Sequence, residues 1–365
     1  MKTSVSIMPK APGAEPPPAS PHALDAGLVD QFGRRATDLR ISLIDKCNLR
    51  CTYCMPENGL PWLKKEQLMS LDEVVRLVRI AVDTFGVREL RLTGGEPLVR
   101  HDLVDVIAAI RSEHPDLPIA MTTNAIGLER KAQALADAGL TRVNISLDSI
   151  HRETFAQLTR RDQLEKVLVG VEAAAEAGLT PLKVNAVLMR GINDAEAGDL
   201  LAWCLENDFE LRFIEHMPLD ADQNWKREGT VSAAETRELL GERFDLAPTD
   251  EDRAGAPAER FDVFDQRSGE LLGRVGVIAS VSEPFCSACT RTRVTAEGRV
   301  MSCLFSAEEY DLLHLLRDER MGDADVAHRW ADAMWAKPAA HGSSRPGFER
   351  EGFSRPERSM SAIGG

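Results

Sequence analysis

The sequence has no apolar run approaching the length of a membrane-spanning helix, and no positively charged start leading into an apolar stretch. A membrane or secreted protein is therefore not expected. Positive charge is also in short supply. Lys and Arg number 44 against 58 Asp and Glu, a net charge of −14. That argues against broad nucleic-acid binding, which rests on neutralising many phosphates, but leaves room for one phosphorylated small molecule held by a local knot of Arg and Lys. No Arg precedes Arg34, so an Arg-rich transit peptide is the weaker reading of the N-terminus. Cysteine is scarce and odd in number: seven, six of them in two tight groups. Without a signal peptide such groups read as metal ligands rather than disulfides. The expected compartment is reducing, hence cytoplasmic.

Hydrophobic residues make up 43% and charged residues 28% of the chain, close to globular averages, so most of it should bury a core. Residues 1–30 are rich in Pro and Ala, show no apolar period and are expected to be disordered. From Leu39 short β-type runs alternate with amphipathic helices, with strands expected at 39–44, 89–93, 118–123, 142–148, 182–188 and 210–215. Ser70 should cap the helix between the first two strands, with Glu73 completing a capping box. Leu71, Val74, Val75, Val78, Val82 and Phe85 fall on one face of it. Six β-then-α units imply parallel strands with right-handed crossovers. An open doubly wound sheet and a barrel short of eight units both satisfy that pattern, and both gather ligands at the carboxyl ends of the strands.

After about residue 220 the character changes. A helix near 232–240 and a Pro/Gly/Ala-containing stretch at 247–258 precede short strands around 261–264, 271–279, 292–295 and 299–301. Helices near 308–320 and 324–336 follow, then a Pro/Gly/Arg-rich tail. The expected division is a disordered extension (1–30), a main domain (31–244), a smaller α+β domain (245–337) and a flexible tail (338–365).

Cys47, Cys51 and Cys54 follow the first strand with spacing C-x3-C-x2-C. Structural zinc ordinarily takes four ligands, whereas an iron–sulfur cluster held by three thiolates leaves one iron open. An open iron is what reductive cleavage of S-adenosylmethionine (SAM) needs. The second strand ends in Gly94-Gly95-Glu96-Pro97; glycine lets backbone approach a ligand closely, and a strand-end Glu can accept from an ammonium. Taken together, these two elements resemble the radical SAM superfamily, and the resemblance selects a partial (β/α)6 barrel over the open sheet.

Cys286, Cys289 and Cys303 form the second group, C-x2-C-x13-C. A structural zinc with a further ligand remains compatible with the spacing. Cys204 sits in a helical stretch beside Trp203 and Leu205, where a lone Cys is a small buried hydrophobe. Arg291 and Arg293, two apart on a strand, project to one face beside the metal, and paired guanidiniums suit a phosphate chain.

LRISLIDKCNLRCTYCMP, RLTGGEPLVR, MTTNAIGL, VNISLDS, VNAV, FIEHMP, CSACTRTRVT and a terminal IGG recur in order from about Asp38 to Gly365. In this the chain resembles the GTP 3′,8-cyclase family, molybdenum cofactor biosynthesis protein A. The resemblance implies two 4Fe–4S clusters, on Cys47/Cys51/Cys54 and on Cys286/Cys289/Cys303. It implies SAM contacts at Tyr53, Gly95, Ser146 and Met217. GTP contacts are implied at Arg40, Arg91, Thr122, Lys183, Arg291, Thr292 and Arg293, and a catalytic part for Gly364 and Gly365. In the implied chemistry a 5′-deoxyadenosyl radical takes hydrogen from C3′ of GTP, and that carbon closes onto C8. The implied partners are a reductant such as flavodoxin or ferredoxin, cyclic pyranopterin monophosphate synthase downstream, and a second copy in a homodimer. A radical SAM peptide-modifying enzyme with an auxiliary cluster and a non-enzymatic metal-binding module are the alternatives. Iron and sulfide analysis separates them: anaerobically reconstituted protein should carry about eight irons per chain, and zinc alone would overturn the radical reading.

Overall fold

The computed structural model describes residues 19–341, apart from 221, 223, 252 and 254, together with residues 358–364. Six parallel strands appear in sequence order: β1 (Asp38–Ser42), β2 (Glu89–Thr93), β3 (Ile119–Thr123), β4 (Arg142–Ser146), β5 (Lys183–Leu188) and β6 (Glu210–Glu215). They lie within one or two residues of the sequence expectation at each end. The helix after β1 runs Leu71–Arg79, and Ser70 caps it in a reciprocal capping box with Glu73. Its apolar face buries Val74, Val75 and Val78.

The strands alternate strictly. Leu39, Ile41, Leu90, Leu92, Val143 and Ile145 are fully buried against the helical layer. Their neighbours Arg40, Arg91, Thr122, Ser146, Asn185 and Arg212 face one central cavity instead. Barrel interiors are ordinarily filled by branched apolar side chains; this one is lined by polar groups and stays open. The same cavity touches Arg293 near one edge of the sheet and Ile278 near the other, so the sheet is curved into an open barrel.

The segment after residue 244 is α+β, as expected, but it does not build a sheet of its own. β7 (Phe244–Pro248), β8 (Glu259–Asp265) and β9 (Leu271–Ile278) extend the sheet beyond β6, and β9 pairs parallel to β6. β10 (Arg291–Val294) pairs parallel to β1, followed outward by β11 (Arg299–Met301) and β12 (Tyr310–Asp311). The result is one twelve-stranded sheet. Because β9 and β10 both run parallel to the barrel strands, the segment 279–290 leaves at the carboxyl end of one edge. It re-enters at the amino end of the other, spanning the gap of the open barrel.

Three expectations are corrected. The extension is ordered before residue 30: Leu28–Val29 pairs with Arg35–Ala36, and Leu28 is fully buried. Apolar burial there outweighs the Pro/Ala composition upstream, and residues 1–18 lie outside the described residues. The short strands begin earlier than the expected 261: β7 takes in the start of the Pro/Gly/Ala-containing stretch, and its Pro248 sits at the sheet edge, where a missing N–H costs no ladder bond. The helix expected at 308–320 shrinks to Leu313–Arg317, because Tyr310–Asp311 pairs with β11 and the Asp311 carboxylate accepts from Leu313 N at 2.8 Å.

The helix Leu164–Glu176 crosses the loop after β3 closely enough that a Cβ on Gly170 would sit 2.1 Å from the Ala125 carbonyl oxygen. Gly170→Ala should therefore cost about 1–3 kcal/mol by overpacking. Gly241→Ala, with nothing within 4 Å, should stay within about 1 kcal/mol of the parent. Chemical denaturation of the two variants checks the difference.

Candidate active site

The first cysteine loop leaves β1 at its carboxyl end. Gly94 and Gly95 clamp it: Gly95 N donates to Ile44 O at 2.6 Å and Glu96 N to Lys46 O at 2.8 Å. A Cβ on Gly95 would lie 2.4 Å from the carbonyl oxygens of Asp45 and Lys46. Only glycine permits this approach. Glu96 completes the clamp. Its carboxylate accepts from Leu98 N at 3.0 Å, Thr123 Oγ1 at 2.7 Å and Asn124 N at 2.7 Å. Burial pushes its carboxyl up to about 7. The carboxylate expected to accept from an ammonium is thus already occupied by its own turn and by the residues ending β3, while its backbone N–H holds the loop.

Cys47, Cys51 and Cys54 are free thiols that line one wall of the cavity. Burial, followed by the Glu96 carboxylate, pushes Cys47 up to about 11. Burial and the Cys47 charge push Cys54 up to about 12, opposed by hydrogen bonds from Ser361. Burial and then the nearby charges of Asp148, Cys54 and Cys47 raise Cys51 well above its ordinary value. Three half-buried thiols that repel one another's charge suit a polynuclear cation that would hold all three as thiolates. Among the described residues no three Cys, His, Asp or Glu side chains converge as a single ion would require. Three thiols facing one cavity are one short of the four ligands that structural zinc ordinarily takes, and suit a cluster that keeps one open position.

Next to them, Tyr53 donates through its hydroxyl to Asp148 Oδ2 at 2.7 Å, and Val187 N donates to Asp148 Oδ1 at 2.8 Å. Gly95, Ser146 and Met217 line the same region.

Below lies a band of cations. Arg293, Arg40 and Arg91 stand side by side on β10, β1 and β2 in register, and Arg212 approaches from β6. Their compensation is thin. Arg40 has Asp38 at 3.6 Å, Arg91 has Glu89 at 3.1 Å, and Arg212 Nη2 donates to Asn144 Oδ1 at 2.9 Å. The Nε atoms of Arg40, Arg91 and Arg212 are buried without a hydrogen-bond partner among the described residues. Burial and the neighbouring Arg91 depress Arg40 well below its usual range, and bring Arg212 to about 10. Burial and Arg291 do the same to Arg293, to about 10.

Cys286 and Cys289 sit on the gap-spanning segment and Cys303 just after β11, all lining the cavity near the amino end of the barrel. Here burial again raises Cys286, but Cys289 reverses the direction. Burial pushes the Cys289 thiol up, but Arg291 and Lys337 outweigh it and bring it down to about 6. Arg291 Nη2 donates to Cys289 Sγ at 3.3 Å. The two cysteine sets thus face each other across the arginine band.

The tail reaches the same space. Met360–Ile363 forms a short turn of helix, Met360 N donates to Leu219 O at 3.3 Å, and Arg293 Nη1 donates to Gly364 O at 3.3 Å. Arg358 pairs with both Glu297 and Glu309. The tail expected to be flexible is therefore ordered over 358–364; residues 342–357 and Gly365 lie outside the described residues.

Two expected residues stand apart. Lys183 is held by both carboxylate oxygens of Glu210 at 2.9 Å and does not line the cavity. Thr292 alternates away from Arg291 and Arg293 and accepts the Trp330 indole N–H at 2.9 Å. The structure adds Asp148, Arg212 and Lys337. Arg212 had a signal, a cation in mid-strand of an otherwise apolar run. Lys337, a single Lys past a helix end, had none.

The profile of the Radical SAM superfamily matches residues 41–204, and that described as Molybdenum Cofactor Synthesis C matches residues 209–343. A Paenarthrobacter nicotinovorans protein named GTP 3′,8-cyclase is 62% identical over 96% of this chain and all of its own length. A Streptomyces coelicolor protein of the same name is 54% identical over 93% of this chain and 96% of its own. The Streptococcus suis SuiB structure bound to precursor peptide SuiA aligns with TM-score 0.58 at 16% identity. It covers 85% of this chain and 67% of that one, a likeness of fold alone.

Gly95→Ala should push the cysteine loop off β2. Iron is expected to fall from about eight toward about four per chain as the first cluster is lost, with SAM binding lost alongside; full iron and parent-like SAM affinity in the variant would show that the clamp is dispensable.

Proposed function

The chain belongs to the GTP 3′,8-cyclase family of radical SAM enzymes, and from that premise we propose how its own residues divide the work. The enzyme uses SAM, carries 4Fe–4S clusters and acts on GTP in molybdenum cofactor biosynthesis. In our reading Cys47, Cys51 and Cys54 hold the first cluster and Cys286, Cys289 and Cys303 the second. When bound, the first cluster and SAM supply a 5′-deoxyadenosyl radical. Tyr53, fixed by Asp148, forms the SAM lobe with Gly95, Ser146 and Met217.

The observation that carries the substrate assignment is the arginine band. Arg40, Arg91, Arg212 and Arg293 are neighbouring like charges, the first three with an idle Nε each, an arrangement that an anion in the cavity would stabilise. A triphosphate placed there leaves the nucleoside between the two cysteine sets, with Thr122 beside it. The protein's part is then position and exclusion of water. We assign Lys183 an indirect place, with Glu210 as its partner. Thr292 holds the strand against Trp330. Gly364 caps the carboxyl end over Ser42 and Thr93, where its φ of 84° and its closeness to Thr93 favour glycine. The division at 31–244 and 245–337 is retained as a functional one. The conversion of GTP to (8S)-3′,8-cyclo-7,8-dihydroguanosine 5′-triphosphate would be followed by cyclic pyranopterin monophosphate synthase. A flavodoxin- or ferredoxin-type reductant, a homodimer and a cytoplasmic location complete the proposal. No helix of the described residues is long and apolar enough to cross a membrane.

Reduced, reconstituted protein given SAM and GTP should form 5′-deoxyadenosine and a 3′,8-cyclised nucleotide; cluster-loaded protein that forms neither would sink the reading. Arg293→Ala should weaken GTP binding roughly ten- to a hundredfold, from loss of about 1.5–3 kcal/mol, with SAM binding unchanged. Equal GTP affinity in variant and parent would return the band to a structural role.

A further inference from the structure

Lys337 is 3% exposed, and among the described residues no carboxylate pairs with it. Its ammonium donates to Cys289 Sγ at 3.2 Å and to the Arg291 carbonyl oxygen at 2.9 Å. A buried ammonium without an anion is strongly disfavoured. The position is stable when the Cys289 sulfur carries negative charge, as a metal-bound thiolate always does.

The placement is built from both sides. The helix Asp323–Trp335 is docked on β10 through Trp330 Nε1 to Thr292 Oγ1 at 2.9 Å, which brings the chain just past the helix end over the same strand. Beyond it, Arg34 donates to Pro338 O at 2.6 Å, Ala339 O at 2.9 Å and Cys286 O at 2.7 Å, and is itself held by Asp30 at 2.6 Å. One guanidinium thus ties the chain after Lys337 to the cysteine segment. The first cysteine set has no counterpart: among the described residues no Lys or Arg donates a hydrogen bond to Cys47, Cys51 or Cys54.

We propose that Lys337 is a positioning residue for the second iron–sulfur cluster, holding ligand Cys289 by an N–H···S hydrogen bond and favouring the reduced state of that cluster. The proposal rests on the reading that Cys286, Cys289 and Cys303 carry a cluster. Reduction adds one electron from an external donor, and the added charge spreads onto the ligand sulfurs. A cation and a hydrogen bond at one of those sulfurs stabilise the more negative state and raise the reduction potential.

Lys337→Met keeps the side chain's length and removes charge and donor; Lys337→Gln removes the charge and keeps a donor. Both are reconstituted as full chains, analysed for iron, and titrated with dithionite while the two clusters are followed by EPR. The second-cluster signal should develop at a lower potential in Lys337→Met than in the parent, with Lys337→Gln between them and the first cluster unmoved. Loss of about four irons from the second site in a variant with parent-like thermal stability also supports the proposal, since the ligand is then no longer held. Full iron with an unshifted second-cluster potential in Lys337→Met overturns it; if that variant does not fold, the same result in Lys337→Gln does. Cys289→Ala separates the premise: retention of all iron there would remove the cluster assignment itself, whatever Lys337 does.

Discussion

Arg40, Arg91, Arg212, Arg291 and Arg293 crowd the inner face of one sheet, and the rest of the fold is arranged around keeping them there. Each guanidinium loses hydration on burial and gains a like-charged neighbour, so burial and repulsion together depress Arg40, Arg212 and Arg293. A folded chain tolerates this only where other terms dominate. Here they come from the outer face of the same strands, where Leu39, Ile41, Leu90, Leu92, Val143 and Ile145 are fully buried at roughly 1.5–3 kcal/mol each. The amino end is closed by compensated pairs, Glu89 with Arg142 and Lys183 with Glu210. The uncompensated charge is concentrated above them, where an anionic substrate can reach it.

The second constraint is topological. Six β/α units leave a barrel open on one side, and a cavity meant for radical chemistry has to be shielded from water. The chain after residue 244 supplies one parallel strand to each edge, and the only connection between those strands crosses the opening. That crossing carries Cys286 and Cys289. The second cysteine group is therefore part of the wall that completes the barrel, which explains how two cysteine sets nearly 240 positions apart in the chain come to line one cavity.

The two sets differ in what surrounds them. Cys51 and Cys54 are raised by burial and by nearby negative charge, with only hydrogen bonds to relieve them. Cys289 is drawn down by Arg291 and Lys337 against its burial. The tail links the two environments, since Ser361 hydrogen-bonds Cys54 while the Gly364 carbonyl accepts from Arg293. Arg358, paired with Glu297 and Glu309, pins the tail where it enters.

Much of this was legible in the sequence because it is local. The spacing of the first cysteine group, the Gly94-Gly95 turn, the Ser70 and Glu73 cap and the period-two alternation along β1 to β6 are each written within ten residues, at the scale on which backbone geometry acts. The ordered motifs extended that reading to the family, and most of its implied contacts line the cavity. What the sequence could not contain was which distant charges become neighbours. That Lys183 is paired with Glu210, that Thr292 turns to Trp330, that Leu28 and Arg34 belong to the folded body, and that Lys337 rests on Cys289 are consequences of strand register and of which edge each strand joins. Those are set by burial summed over the whole chain. The sequence by itself determined the chemistry present and the faces on which it is displayed; the tertiary structure alone decided which of those charges are compensated and which are left for a ligand, because compensation depends on distances that only packing defines.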